Sequence, residues 1–131
     1  MKILFIGDVV GMRSCEALQQ ELHGIKRRLG AEVVIVNGEN SAEGNGINPA
    51  SAGAIFDAGA DVITTGNHCF RQKTMEAEWE SNERIIRPAN YGEDVIGRGM
   101  CVLDRGAYSI AVINLMLSLI HISEPTRLLS I

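Results

Sequence analysis

The chain has 131 residues, of which 46% are hydrophobic and 21% charged, and its formal net charge is −4 at pH 7. This length and composition indicate one globular domain with enough chain to bury a core. The acidic balance argues against binding to DNA or to anionic membranes, because neither offers an acidic protein a favourable field. No apolar run approaches the roughly 18 residues of a membrane span, and the early Asp8 argues against a signal peptide.

The three cysteines form neither an even disulfide set nor a CxxC pair. Such a pattern is typical of reduced thiols, so we expect a cytoplasmic protein. Cys69 stands beside His68, but a cysteine–histidine pair without a third partner is weak support for a nucleophile.

The first strand and helix have clear signals. Residues 2–7 are apolar nearly throughout, which predicts a parallel strand covered on both faces. Ser14 is the candidate cap of the helix that follows, and Gly30 is its natural stop. That helix carries one apolar stripe, formed by Leu18, Leu22, Ile25 and Leu29.

The later elements continue the alternation and then change to a hairpin. In chain order we predict a strand over 32–37, a helix over 50–58 that Pro49 starts and Gly59 closes, and a strand over 61–65. An acidic helix over 73–80 and a short strand over 84–86 follow. The last predicted element is a hairpin of strands over 99–104 and 107–114, with its turn at Arg105-Gly106. Strand–helix–strand–helix–strand with short connections predicts an α/β fold with a parallel sheet and right-handed crossovers.

Polar side chains follow the first three strands where each strand ends. These are Asp8, then Glu39 and Asn40, then Asn67 and His68. The offsets from 8 to 39 and from 39 to 67 are 31 and 28 residues, each one strand–helix unit, so the three loops lie side by side. Ligands bind at this edge of open α/β sheets. Oxygen and imidazole donors suit manganese, iron or zinc, and a paired site could activate water against a phosphoryl group.

Each of these residues also has an ordinary structural explanation. Asp8 could be a turn residue, Glu39 and Asn40 part of a glycine turn, Asn67 a cap, and His68 a satisfied structural histidine. Because all of them lie on three neighbouring loops, a functional site is the favoured interpretation. Two other functions stay open: a metal-free Rossmann-like module that binds a nucleotide, and a regulatory protein that binds a partner through an exposed sheet edge.

Four sequence blocks in order carry a family resemblance: IGDVVG at 6–11, NGENSA at 37–42, TGNH at 65–68 and RPAN at 87–90. Together they resemble the bacterial YmdB-type metallophosphoesterases, which belong to the calcineurin-like superfamily and are similar to 2′,3′-cyclic-nucleotide phosphodiesterases. AVINL at 111–115 resembles the next core strand of that family. The resemblance covers residues 1 to about 115 and implies the N-terminal, parallel-sheet half of the family's sandwich.

The resemblance also implies roles for the strand-end residues. Asp8 and Asn40 would bind the first metal ion, Glu39 would bridge two ions, and Asn67 would bind the second, with iron or manganese as the expected metals. Hydroxide would attack phosphorus in line, and His68 would protonate the leaving ribose oxygen. The implied substrate is a cyclic nucleotide, and an oligomer is compatible with the sequence.

The end of the chain departs from the family pattern. The family completes its metal site with histidines from the second half of its fold, and this chain has no counterpart for them. SLIHISEPTR at 118–127 closely resembles a translated sequencing adapter, so we assign His121 no role. We interpret residues 1–115 as an incomplete metallophosphoesterase domain and residues 116–131 as a non-native tail, the alternative being an irregular C-terminal segment. We therefore expect little or no activity, exposed apolar surface and an unpaired strand.

Overall fold

The structure is a computed structural model that describes residues 1–43 and 45–117. Its strands are β1 (Ile3–Ile6), β2 (Val33–Asn37), β3 (Val62–Thr64), β4 (Ile85–Ile86), β5 (Met100–Asp104) and β6 (Ser109–Ile113). Its α-helices are α1 (Gly11–Leu29), α2 (Pro49–Ala58) and α3 (Glu76–Ser81), with 3-10 turns over Lys73–Met75 and Ala89–Tyr91. Every described helix is too short or too polar to cross a membrane. His121 and the rest of the predicted tail beyond residue 117 lie outside the described residues.

Strands β1 to β4 form one parallel sheet in chain order, which confirms the predicted α/β fold. α1 and α2 contact each other and cover the same face of this sheet. The core between the helices and the sheet contains Leu22 and Ile55 from the helices and Val34, Val36 and Ile63 from the strands. The apolar spacing in α1 therefore predicted the buried side of the helix, except for Leu29, which is exposed.

The hairpin of β5 and β6 lies on the opposite face of the sheet. Its buried residues Cys101, Leu103 and Val112 share a second core with Val33, Ile35, Val62 and Ile86. An ion pair of 2.8 Å joins Arg105 in the hairpin turn to Asp61 at the start of β3. The hairpin and its turn are where the sequence predicted them, and they add a second layer of strands to the fold.

The start of α1 differs from the prediction. Ser14 is not the cap, because the helix begins at Gly11 and its N-cap residue Val10 makes no side-chain cap hydrogen bond. The backbone N–H of Gly11 instead donates to the carbonyl oxygen of Asn40 at 3.0 Å. The loop after β2 thus takes the place of a capping side chain, which is a long-range contact that local sequence does not reveal.

The start of α2 is capped as its sequence suggests, and it also holds the preceding loop. Asn48 and Ser51 form a reciprocal capping box, and Gly59 closes the helix in the left-handed conformation. The buried Ser41 donates to the carbonyl oxygen of Gly38 at 2.7 Å, and its hydroxyl lies 2.9 Å from that of Ser51. The loop after β2 is therefore tied to the helix behind it.

One face of β1 is bare, contrary to the prediction that both faces are covered. Ile3 and Phe5 are 47% and 57% exposed, although their neighbours Val33 and Ile35 on β2 are buried. The reason is that the β5–β6 hairpin covers the middle of the sheet and stops short of β1. Among the described residues β1 pairs with β2 alone. The expected apolar surface and sheet edge are thus present in this part of the chain.

The buried Arg87 fixes the loop between β4 and β5. Its guanidinium donates hydrogen bonds to the carbonyl oxygens of Pro88, Gly92, Val95, Ile96 and Gly97. Five carbonyls of one loop therefore converge on one cation. The arginine of the RPAN block acts as a structural cross-link.

We expect Arg87→Met to lower the free energy of unfolding by about 3 kcal/mol, since it leaves several buried carbonyl groups without a donor. The matched control is Arg98→Met, which removes only a 3.9 Å contact with Glu83. That pair is exposed, so its loss should cost about 0.5 kcal/mol or less. Urea unfolding followed by circular dichroism measures both, and equal losses would contradict the cross-linking role.

Candidate metal centre

The loops after β1, β2 and β3 are joined by backbone hydrogen bonds. Val9 N–H donates to the Asn37 carbonyl oxygen, and Gly38 N–H donates to the Thr64 carbonyl oxygen, each at 3.0 Å. A short parallel bridge also pairs Val10 with Asn40. The parallel register of the strands therefore continues into the loops, and this fixes the positions from which their side chains extend.

The structure brings all five predicted side chains to one open cavity of about 360 Å³ at the carboxyl edge of the sheet. The cavity is lined by Asp8, Glu39, Asn40, Asn67 and His68, together with Phe5, Gly7 and Asn37. Asp8 and Asn67 are exposed, whereas Glu39, Asn40 and His68 are half-buried. The Asp8 carboxylate is thus accessible from solvent, whereas the Glu39 carboxylate is largely covered.

A chain of hydrogen bonds orders three of these side chains. The Asn40 amide nitrogen donates to Asp8 Oδ1 at 2.9 Å, and the Asn40 amide oxygen lies 2.8 Å from His68 Nδ1. An ionised carboxylate can only accept, so Asp8 fixes which end of the amide faces the histidine. The amide oxygen also can only accept, so the proton of neutral His68 sits on Nδ1 and leaves Nε2 free.

This arrangement predicts the tautomer of His68. In ¹⁵N NMR spectra of the neutral ring, Nδ1 of His68 should be the protonated nitrogen. Asn40→Ala should relax this preference about fivefold, since it removes a hydrogen bond worth about 1 kcal/mol. His23 is exposed on α1 and serves as an internal control whose shifts should not change. A proton on Nε2 of His68 in the unaltered chain would contradict the assignment.

Glu39 lies directly over Gly66. A Cβ atom at position 66 would fall 2.5 Å and 2.6 Å from the two carboxylate oxygens of Glu39. The same carboxylate accepts a 3.4 Å hydrogen bond from the backbone N–H of His68. Gly66 is therefore required for the close approach of this carboxylate to the β3 loop, and it couples the second loop to the third.

Asp8 has a strained backbone. Its φ of +40° makes it the one residue other than glycine with a positive φ among residues 1–43 and 45–117. Aspartate tolerates this region better than most residues, but the conformation still costs free energy. Strain of this kind concentrates at functional sites, where the surrounding structure holds the residue in place.

Asn37 is a member of the site that sequence reasoning missed. The residue lines the same cavity, and its buried Oδ1 atom accepts no hydrogen bond from any described residue. The sequence places Asn37 at the end of a strand and in the NGENSA block, without assigning it a role in the site. The signal that could have found it is its position in the NGEN run, where the alternation of a strand points it away from Val36 and Gly38.

Two neighbouring residues contribute to structure instead of chemistry. A Cβ atom at Gly38 would lie 3.0 Å from both Ile55 and Ile63, so this glycine permits close packing of the loop on the core. Burial raises the pKa of the Cys69 thiol to about 12. The thiol therefore keeps its proton at neutral pH, which agrees with the expectation that Cys69 is not a nucleophile.

The donor set fits hard divalent cations, but only two of its side chains carry a negative charge. Asp8 and Glu39 supply two carboxylates, and the asparagines and His68 add neutral oxygen and nitrogen donors, a set that suits manganese or iron. The described part of the chain contains no cluster of three or more His, Cys, Asp and Glu side chains able to hold a metal ion. Binding by these residues would therefore depend on asparagine oxygens, of which Asn37 Oδ1 is buried and has no hydrogen-bond partner within residues 1–43 and 45–117.

Comparison with known proteins identifies the family. A family model described as YmdB-like protein matches residues 4–127. The chain belongs to the YmdB-like family. A curated relative from Bacillus subtilis strain 168, named 2′,3′-cyclic-nucleotide 2′-phosphodiesterase, is 35% identical over 115 residues, which is 88% of this chain and 44% of the relative.

Two solved structures resemble this YmdB-like chain. A hypothetical protein from Thermus thermophilus has a TM-score of 0.81 at 35% identity, over 88% of this chain and 45% of that one. A structure described as a novel phosphatase from Mycoplasma pneumoniae has a TM-score of 0.78 at 29% identity, over 88% and 42%. The YmdB-like chain therefore spans less than half the length of these relatives.

Proposed function

We propose that this chain carries the N-terminal metal site of a phosphoric diester hydrolase that acts on cyclic nucleotides of the 2′,3′ type. The observation that carries the proposal is the convergence of Asp8, Glu39, Asn40, Asn67 and His68 on one cavity. The name of the Bacillus subtilis relative supports the reaction and the substrate class.

In this proposal Asp8 and Asn40 would hold the first ion, Glu39 would contribute to both and Asn67 would hold the second. Iron and manganese are the ions that best match these donors. Two bound ions would polarise the phosphoryl group and lower the pKa of water, which supplies the nucleophile at neutral pH. Glu39 is suited to the bridging position because Gly66 lets its carboxylate lie between the second and third loops.

His68 is suited to deliver a proton to the leaving group. Its Nδ1–H donates to the Asn40 amide oxygen, so the ring is oriented and Nε2 remains available. In the reaction a water oxygen bonds to phosphorus, and the bond between phosphorus and one ribose oxygen breaks. The protonated ring can pass its Nε2 proton to that ribose oxygen. Removing this proton donor should slow the reaction by about 10²-fold or more.

We propose that residues 1–117 alone turn over little substrate. Asp8 and Glu39 provide a charge of about −2 against +4 for two divalent ions, so the second ion is bound weakly. The histidines that the family resemblance implies have no counterpart among the described residues, and the bare face of β1 leaves the sheet edge open to water.

The expected result is Mn²⁺-dependent retention of 2′,3′-cyclic AMP in equilibrium dialysis, without hydrolysis above the protein-free blank. Asp8→Asn should abolish the retention, because it removes a carboxylate from the first ion. Absence of Mn²⁺-dependent retention would contradict the proposed site. Hydrolysis that disappears in His68→Ala would contradict the claim that this chain is nearly inactive, while supporting the reaction.

A further inference from the structure

A second cavity lies beside the strand-end site and has a different character. It has a volume of about 320 Å³ and is lined by Phe70, Gln72, Lys73, Glu76, Trp79 and Ile96. Phe70 and Trp79 meet edge to face, with ring centroids 5.4 Å apart. Phe70, Trp79 and Ile96 give the lining aromatic and aliphatic surface, and Gln72, Lys73 and Glu76 add polar groups, a combination that is usual in small-molecule pockets.

Both aromatic side chains of this cavity have groups that a ligand could contact. Phe70 is 41% exposed although it is a large apolar side chain, and its other aromatic neighbour is Tyr91 at 6.0 Å. The Trp79 indole is buried, and its N–H has no acceptor among the described residues. A buried donor without an acceptor is costly, so this pair of lining residues combines an exposed stacking surface with a buried donor that has no described acceptor.

The loop that forms this cavity is the loop that carries His68. Phe70 follows His68 by two residues, so their Cα atoms are at most about 7 Å apart. Gln72, at the end of this loop, donates to the Asn45 carbonyl oxygen at 2.9 Å. Ile96, which also lines the cavity, is held separately by a 3.3 Å hydrogen bond from Arg87 to its carbonyl oxygen. The two cavities are therefore neighbours joined by one short loop.

We propose that the Phe70–Trp79 cavity holds the nucleobase of a nucleotide whose phosphate lies at the strand-end cavity, an inference that rests on the proposed function. A planar heterocycle can stack on the exposed ring of Phe70. Its ring nitrogens and carbonyl oxygens offer the acceptor that the Trp79 N–H lacks once the Phe70 ring shifts. The ribose then spans the short distance between Phe70 and His68.

Trp79 is the one tryptophan of the chain, so its fluorescence, excited at 295 nm, reports on this cavity directly. Adenosine is the probe, because it carries the base and no phosphate. We expect saturable quenching by adenosine without metal and none by ribose 5-phosphate. Phe70→Ala should weaken adenosine binding at least about fivefold, and Phe70→Leu less, since base stacking on an aromatic ring is worth about 1–3 kcal/mol. Val102→Ala, at an exposed apolar position on β5, is the control and should change nothing.

A second measurement, the retention of inorganic phosphate by the chain in the presence of Mn²⁺, tests the proposed metal site independently of the base pocket. If phosphate is retained and adenosine does not quench Trp79, the base pocket is overturned and the metal site stands. If adenosine quenches in a Phe70-dependent way and phosphate is not retained, the pocket stands and the phosphodiesterase proposal fails. Quenching that Phe70→Ala leaves unchanged overturns the pocket.

Discussion

A Gly66→Ala variant is expected to lose Mn²⁺ binding at the strand-end cavity, with at least about a tenfold drop in affinity. The added methyl group would lie 2.5–2.8 Å from the Glu39 carboxylate, so the carboxylate must swing away from the β3 loop. A displacement of this size removes the proposed bridging ligand while leaving Asp8 and Asn40 in place. Paramagnetic broadening of the amide NMR signals of Asn40 and His68 during a Mn²⁺ titration measures the effect.

Gly53→Ala is the matched control for this variant. Gly53 lies inside α2, and a Cβ there would meet no atom within 4 Å. The substitution should stabilise the helix by about 0.5–1 kcal/mol and leave the Mn²⁺-induced broadening unchanged. Equal broadening in Gly66→Ala and in the unaltered chain would show that Glu39 is not a ligand.

Asp8→Gly should separate stability from metal binding. At φ +40° a glycine removes the backbone strain, so the free energy of unfolding should stay within about 0.5 kcal/mol of that of the unaltered chain. The same substitution removes the carboxylate that we assign to the first ion. The increase in melting temperature produced by saturating Mn²⁺ should therefore disappear.

Asp8→Ala completes the comparison. Alanine also lacks the carboxylate, but its Cβ is strained at this φ, so it should be about 1 kcal/mol less stable than the glycine variant. Both variants should show the same loss of the Mn²⁺ effect. If Asp8→Gly keeps the Mn²⁺-induced increase in melting temperature, Asp8 holds no ion and its strain requires another explanation.

Elements with strong local signals were predictable from sequence. Pro49, Gly59 and the small residues between them define α2, and the alternation on either side of Arg105-Gly106 defines the hairpin. The order of strands followed from the short connections. Exposed apolar surface was expected from the family resemblance, but its place on β1 could not be predicted, because an apolar strand looks the same whether the layer that covers it extends to that edge or stops short.

The candidate site was predictable in position and less so in detail. Asp8, Glu39 and Asn67 follow three strands that a parallel sheet must align, so their convergence followed from topology. The hydrogen bonds that Asn40 donates to Asp8 and accepts from His68 span 32 and 28 residues and depend on side-chain orientation. For the same reason the sequence did not predict the buried Asn37 oxygen or the five carbonyls around Arg87. It also did not predict that the carbonyl oxygen of Asn40, and not the side chain of Ser14, accepts a hydrogen bond at the start of α1.

The most direct test of the account is a calorimetric titration of Mn²⁺ into the chain and into Asn67→Ala. Asn67 is exposed and lines the cavity, so its truncation should leave the fold intact, and Gln20→Ala on the surface of α1 controls for loss of an exposed amide. We predict that Mn²⁺ binds saturably to the unaltered chain and to Gln20→Ala. In Asn67→Ala the Mn²⁺ affinity should fall at least about tenfold, which corresponds to about 1.4 kcal/mol. Heats equal to the buffer blank, or identical curves for all three proteins, would contradict a metal site at the strand ends.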